Sequence, residues 1–108
     1  MKLLFAIISN DDSNELVRSL IEHKISVTRI ASTGGFLRSG NSTLMIGVEE
    51  NQLDETLGII KEKSSRRHSV VVPVTGLPYS AASTAMPLKI TVGGATVFVL
   101  DVSQFHKF

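Results

Sequence analysis

The stretch LLFAIISNDDSNELVRSLIE, residues 3–22, decides the fold. Its first part, Leu3 to Ile8, is a nearly unbroken apolar run, which is typical of a central strand covered on both faces. Asp12 stands three residues before Glu15, and this capping-box spacing predicts the start of a helix. The apolar residues of that helix fall on one face: Leu16, Val17, Leu20 and Ile21. The stretch therefore predicts a buried strand followed by an amphipathic helix.

Downstream, the sequence returns twice to strand patterns and then to a second helix. Ile25–Ala31 is rich in β-branched residues and predicts a strand, and Ser42–Val48 predicts the next one. Glu49-Glu50-Asn51 leads into the second helix, which has lysines near its end, as the helix dipole favours. The residues predicted to form its buried face are Leu53, Leu57 and Ile60.

The last part of the sequence is predicted to add strands around a long loop. Ser69–Val74 has strand composition, and Thr75–Pro87 is a loop of small residues, long enough to be functional or mobile. Leu88–Val92 and Ala95–Val102 predict a C-terminal β-hairpin that turns at Gly93-Gly94. The resulting order predicts an α+β, ferredoxin-like βαββαβ sandwich, as a single domain over residues 1–108.

One face of the predicted sheet has no cover within the chain. The two helices lie on the same face in this arrangement, and no third helix is predicted. Because the strands are apolar on both sides, we expect sister subunits to cover the other face.

Composition excludes several classes of function. The formal net charge is +1, so bulk charge does not call for nucleic acid or an anionic membrane. The chain has no cysteine, which excludes disulfides and thiolate chemistry. The N-terminal apolar run is too short for a signal peptide, and no segment reaches the roughly 18 apolar residues of a membrane span. A cytoplasmic location is expected.

Enzyme and metal-site patterns are also missing. His23, His68 and His106 lie far apart in the sequence, without the spacing of a metal motif. Asp11 and Asp12 are adjacent carboxylates, but at the start of a helix such residues are far more often caps than catalysts. We therefore expect no catalytic residue, no metal site and no cofactor.

The glycine loop from Thr33 to Asn41 is the positive signal. Glycines expose backbone N–H groups that can bind phosphates or base edges, Phe36 and Leu37 can stack on a base, and the amide of Asn41 suits an adenine edge. The alternative is a tight strand connection with Phe36 in the core.

Two further features have two interpretations each. Arg66-Arg67-His68 is either a phosphate-binding cluster or a solvated face. Phe105 and Phe108, in the C-terminal tail, pack either on a neighbouring subunit or on the core of their own chain.

Three stretches resemble a known family: ASTGGFLRSGNST at residues 31–43, VGGATVFVLDV at residues 92–102 and QFHKF at residues 104–108. The second is similar to the C-terminal strand signature of PII signal proteins. Together, the three are similar to the PII-like cyclic-di-AMP receptor family of Gram-positive bacteria, and the resemblance covers the whole chain.

The resemblance implies a non-enzymatic homotrimer that binds cyclic-di-AMP at three subunit clefts and reorders its loops to control a partner protein. The glycine loop would be the family's T-loop, and Thr75–Pro87 would belong to its B-loop. The ligand residues carried over by motif are Thr28, Gly35, Phe36, Leu37, Asn41, Gly47 and Phe98.

The chain departs from the usual family pattern at positions that bear on the ligand. Lys24, Ser26 and Lys107 stand where an asparagine, an arginine and a glutamine are usual, and the B-loop segment is altered. The alternative function is therefore a divergent PII-like trimer that binds another adenine nucleotide, or none, and acts as an interaction module.

Overall fold

The computed structural model describes residues 1–30, 40–71 and 88–108. The predicted ligand residues Gly35, Phe36 and Leu37, and the predicted loop Thr75–Pro87, lie outside the described residues. The described elements are β1 (Lys2–Ser9), α1 (Asn10–Glu22), β2 (Ser26–Ile30), β3 (Asn41–Val48), a short 3₁₀ turn (Glu50–Gln52), α2 (Leu53–Ser64), β4 (Arg67–Val71), β5 (Leu88–Val92) and β6 (Ala95–Asp101).

The main sheet has the strand order β2-β3-β1-β6, and each neighbouring pair is antiparallel. Both helices pack on one face of it, so the predicted α+β, ferredoxin-like class is confirmed. The central strand is β1, as its apolar run predicts, because it pairs with β3 on one side and with β6 on the other.

The core lies between this sheet and the helices. The alternate residues Leu4, Ala6 and Ile8 of β1 are fully buried. The other core residues come from β3 and the helices: Leu44, Ile46, Val48, Leu16, Leu20, Ile59 and Ile60, with Ile25 between α1 and β2. Burying one such side chain contributes about 1.5–3 kcal/mol. The other apolar residues of β1, Leu3, Phe5 and Ile7, are only partly buried, so the described chain covers one face of the strand where the sequence predicted two.

Helix α1 begins before the predicted cap. The helix starts at Asn10, and its N-cap is Ser9, whose side-chain oxygen accepts a hydrogen bond from the backbone N–H of Asp11 at 3.4 Å. Asp12 lies in the first turn, and its buried carboxylate accepts hydrogen bonds from Arg67, at 2.7 Å and 3.2 Å. The prediction that Asp12 opens the helix was therefore wrong, because Ser9 caps the helix and the carboxylate of Asp12 accepts hydrogen bonds from Arg67.

The buried face of α1 also differs from the prediction at Ile21, which is 60% exposed. The buried arc is centred on Leu16 and includes Asp12, Ser13, Ser19 and Leu20. At about 100° per residue, Ile21 points roughly 140° away from the centre of that arc. On α2, the predicted residue Ile60 is buried, and Leu53 and Leu57 pack against the core while partly exposed.

The predicted hairpin of β5 and β6 is not formed. Strand β5 pairs with β4 in a separate two-stranded sheet, and β6 pairs with β1 in the main sheet. Gly93 and Gly94 both have left-handed backbone angles (φ 75° and 109°), and they redirect the chain between the two sheets. The pairing with β1 prevails because it satisfies the backbone groups of the central strand and packs Val97 against the core.

We call the strands β4 and β5 the arm. At its base, the N–H of Gly94 donates to the carbonyl of Ser64 at 2.7 Å, and Arg67 pairs with Asp12 of α1. A Cβ on Gly93 would lie 2.4 Å from Nη1 of Arg67 and 2.8 Å from the carbonyl oxygen of Ser65. The base of the arm is therefore closely packed against the ends of both helices.

Candidate functional site

The candidate site lies on the face of the main sheet that the helices leave uncovered, which we call the open face. The strand register sets its side chains in three rows across the sheet, running from β2 to β6. The rows are Ser26–Gly47–Leu3–Leu100, Thr28–Met45–Phe5–Phe98 and Ile30–Thr43–Ile7–Thr96.

Two of the predicted ligand residues, Thr28 and Gly47, line one groove of about 360 Å³ on this face. We call it the Gly47 groove; its other lining residues are Met1, Lys2, Leu3, Ser26, Met45, Val102 and Phe105. A Cβ built on Gly47 would have no atom within 4 Å, so the space above this glycine is open. Glycine inside a strand weakens the strand, and it is typical of a place where another molecule approaches the backbone.

Phe98 lies at the other edge of the sheet. It occupies the same row as Thr28, but three strand spacings away, which corresponds to about 14 Å. Its ring is 51% exposed and lines a second groove, of about 470 Å³, with Phe5, Ile7 and Thr43. A single chain therefore does not bring Thr28 and Phe98 together.

Asn41 lies at the start of β3, opposite Ser9, and is only 6% exposed. Hydrogen bonds of its neighbours hold the backbone there: the N–H of Asn10 donates to the carbonyl of Gly40 at 3.3 Å, and Ser42 Oγ donates to Asn10 Oδ1 at 2.6 Å. Asn41 is not among the lining residues of either groove.

Sequence reasoning did not include Ser26, Met45 and Phe105 among the ligand residues, although all three line the Gly47 groove. The signal for Ser26 was the period of two along β2, which sets it on the same face as Thr28. No local pattern places Phe105, since the tail reaches the groove only because β6 ends beside β1.

One rim of the Gly47 groove is charged. Lys2 forms ion pairs with Asp101 and, at 3.3 Å, with Glu50. The hydrogen bonds to Asp101 and Glu50 raise the pKa of Lys2 above its usual value, and the same contact with Lys2 lowers the pKa of Asp101. This rim therefore carries a fixed pattern of charge near neutral pH.

The three histidines lie in different parts of the structure. His23 Nδ1 is 2.7 Å from the carbonyl oxygen of Ser19 at the end of α1, His68 lies beside Thr91 on the arm, and His106 stacks on Phe108 in the tail. In the part of the chain that the structure describes, no three His, Cys, Asp or Glu side chains form a group able to hold a metal ion.

No helix among residues 1–30, 40–71 and 88–108 is both long and apolar enough to cross a membrane.

Comparison with known proteins identifies the family. Residues 1–108, the whole chain, match the family described as cyclic-di-AMP receptor. The chain belongs to the cyclic-di-AMP receptor family. The resemblance carried by the glycine loop and the C-terminal strand is thereby confirmed, and the receptor belongs among signalling and nucleotide-binding proteins.

A solved structure is similar to the receptor over nearly its full length. It is the crystal structure of a functionally unknown protein from Pediococcus pentosaceus, with 43% sequence identity and a TM-score of 0.80. The similarity covers 99% of this chain and 96% of that one, which supports the fold described above.

Proposed function

We propose that the receptor binds cyclic-di-AMP on the open face, at the clefts between the subunits of a cytoplasmic homotrimer. The observation that carries this proposal is the Gly47 groove, in which a glycine inside a strand leaves open space beside the hydroxyl of Thr28. Family membership supports cyclic-di-AMP as the ligand, and the groove supports a location on the surface that the helices leave uncovered.

The positions of Thr28 and Phe98 support a site shared between subunits. They lie in one row but at opposite edges of the sheet. In a closed ring of protomers joined head to tail, the β2 edge of one protomer meets the β6 edge of the next. Thr28 of one subunit and Phe98 of its neighbour then face the same ligand, with the ring of Phe98 stacking on an adenine.

The remaining ligand residues of the proposal come from the family motif: Gly35, Phe36, Leu37 and Asn41. Phe36 and Leu37 would supply apolar contacts to adenine, and Asn41 and the loop backbone would supply hydrogen bonds. Ligand binding would then reorder the loops and change which partner protein the receptor engages.

Calorimetric titration with cyclic-di-AMP, with ATP as the control nucleotide, tests the ligand. We expect micromolar or tighter binding, about −8 kcal/mol or better, with one ligand per protomer. If neither calorimetry nor a thermal shift at high ligand concentration detects binding of cyclic-di-AMP, the proposal is wrong.

A matched pair of glycine variants tests the location of the site. Gly47→Leu places a side chain into the open groove, and we expect it to abolish binding while the domain stays folded. Gly58→Leu is the control, because Gly58 lies on α2 and also has no atom within 4 Å of its Cβ position. Equal affinities of the two variants would exclude the Gly47 groove as the site.

A second function, binding of a different adenine nucleotide or of none, is favoured by Ser26. This residue lines the Gly47 groove, and it offers a hydroxyl where a family member usually has an arginine. A hydrogen bond to a charged group contributes about 1.5–3 kcal/mol, so a groove with serine at this position attracts a phosphate less strongly than one with arginine. A thermal-shift screen separates the two functions: stabilisation by ATP or ADP, but not by cyclic-di-AMP, would establish the second.

A further inference from the structure

A groove of about 400 Å³ lies on the helix side of the main sheet, away from the open face, between α2 and β6. We call it the α2–β6 groove. Leu57, Ile60, Ala95 and Val97 supply its apolar floor, and Lys61 and Arg66 stand at its rim. Because Ala95 and Val97 alternate with the open-face residues of β6, a ligand on the open face leaves this groove accessible.

The two cations at the rim have no acidic partner within residues 1–30, 40–71 and 88–108. Among the described residues, the ion pairs involve Lys2, Lys63 and Arg67, and none involves Lys61 or Arg66. Arg67 is held by the buried carboxylate of Asp12, whereas its neighbour Arg66 is exposed to solvent. The two adjacent arginines therefore differ in role: Arg67 anchors the arm, and Arg66 keeps its charge available to another molecule.

The basic character of the rim continues onto the arm. Between Glu62 and Asp101 the sequence has no carboxylate side chain, but it has four cationic ones, Lys63, Arg66, Arg67 and Lys89. The register pairs His68 with Thr91 and position 70 with Lys89, so His68 and Lys89 share one face of the arm. Both are exposed, and Arg66, also exposed, lies just before β4.

We propose that the α2–β6 groove and this basic face of the arm bind an acidic segment of a partner protein that seats an apolar side chain in the groove. Charge complementarity favours an acidic partner, since Lys61 and Arg66 are exposed and form no ion pair within the described residues. The apolar floor favours a peptide over nucleic acid, because its lining is aliphatic and offers no aromatic ring on which a base could stack. This binding is independent of any ligand at the Gly47 groove.

Lys61 lies near the C-terminus of α2 and therefore has a second role, in the stability of that helix. The experiment must separate this role from binding. A lysine in the last turn stabilises a helix through its dipole. Arg66 lies beyond the end of α2, so its charge does not have that role to the same degree. A binding function therefore predicts that both residues affect partner affinity, while Lys61 affects helix stability more than Arg66 does.

The test is a titration of the ¹⁵N-labelled receptor, followed by NMR, with synthetic peptides of aspartate and glutamate around one central leucine. We expect shifts of backbone signals at Leu57, Arg66, Gly94 and Val97. Replacing the central leucine with serine should weaken binding about tenfold or more. The single variant Arg66→Glu should weaken binding of the leucine peptide, and the double variant Lys61→Glu with Arg66→Glu should weaken it more. Arg18→Glu, the same charge change on the exposed side of α1, should leave binding unchanged.

Three results would overturn the proposal: no shifts with any acidic peptide at about 1 mM, equal binding of the leucine and serine peptides, or tighter binding of an oligothymidine than of the peptides. Titrations of the same variants with cyclic-di-AMP test whether the two sites are independent. The charge-reversed variant should retain its nucleotide affinity, and a parallel loss of both would contradict an independent site.

Discussion

At the residue scale, the end of α1 shows how one backbone angle shapes a helix terminus. Lys24 has a left-handed φ of 59°, a conformation that glycine adopts without steric cost and that lysine does not. Its N–H donates to the carbonyl of Ile21, and the N–H of Ile25 donates to the carbonyl of Leu20, each at 2.9 Å. These two bonds are those of a Schellman motif, and they turn the chain sharply into β2.

Lys24→Gly should stabilise the domain. Glycine relieves the steric cost of the left-handed angle, and we expect the free energy of unfolding in urea to rise by about 0.5–1 kcal/mol. Lys24→Ala is the control, since alanine keeps the Cβ and should bring no gain. A fall in stability on Lys24→Gly would show that the lysine side chain contributes more than its backbone conformation costs.

At the element scale, the ion pair between Arg67 and Asp12 links the arm to α1. Asp12 is buried and Arg67 is about half exposed, so removal of the arginine leaves a carboxylate poorly solvated and without its cation. The hydrogen bonds that Arg67 donates to Asp12 raise the pKa of the guanidinium above its usual value, so Arg67 stays charged at all accessible pH values.

Arg67→Gln should therefore destabilise the domain by about 1–3 kcal/mol, because the lost hydrogen bonds reach a charged and buried group. Lys63→Gln is the matched control. Lys63 also pairs with a carboxylate of α1, Glu15 at 3.3 Å, but that pair is more exposed and its loss should cost less than about 1 kcal/mol. Equal losses in chemical denaturation would contradict a special role for Asp12.

The contact between β1 and β6 predicts a dependence of stability on pH. Folding lowers the pKa of Asp101, so its stabilising effect is present above its unfolded-state pKa and is lost as pH falls through the folded-state pKa. Folding raises the pKa of Lys2, so that effect is present below the unfolded-state pKa and is lost as pH rises through the folded-state value.

Asp101→Asn should accordingly lower the unfolding free energy by a constant amount between about pH 5 and pH 9. The difference from the native chain should shrink in acid, as Asp101 of the native chain becomes protonated, and again in strong alkali, as Lys2 loses its proton. Thermal denaturation across the pH range measures it. Glu22→Gln, an exposed change on α1, should show no such profile.

At the scale of the whole molecule, the open face leaves apolar side chains on solvent, including Phe98 at 51% and Leu100 at 44% exposure. An apolar patch of this kind marks an interaction surface, and the proposed trimer would cover it. Burial between subunits would also account for the continuous apolar pattern of β1, of which the chain itself covers only one side.

Leu100→Lys should weaken the trimer, because it places a charge on the surface that the neighbouring subunit would cover. Light scattering after gel filtration should show a trimer for the native chain and smaller species for the variant at micromolar concentration, with at least about a tenfold rise in the dissociation constant. Ile21→Lys, on the exposed side of α1, is the control and should remain trimeric. A native chain that elutes as a monomer would contradict the assembly.

The sequence alone determined the order of strands and helices up to α2, the class of the fold and the family. Those features depend on local information: the alternation of apolar residues, the positions of glycines, and motifs such as residues 31–43. The family resemblance also implied Thr28 and Gly47 as ligand residues, and both line one groove.

Only the tertiary structure decided which strands pair and which distant side chains meet. Gly93-Gly94 permits a hairpin of β5 and β6, but β6 pairs with β1 in the main sheet, because this pairing satisfies the backbone N–H and C=O groups along that edge of β1. In the same way, the spacing of Asp12 predicts a helix cap, yet its carboxylate accepts hydrogen bonds from Arg67, which lies 55 residues away in the sequence. Such contacts join residues far apart along the chain, so their energies cannot be read from any local stretch.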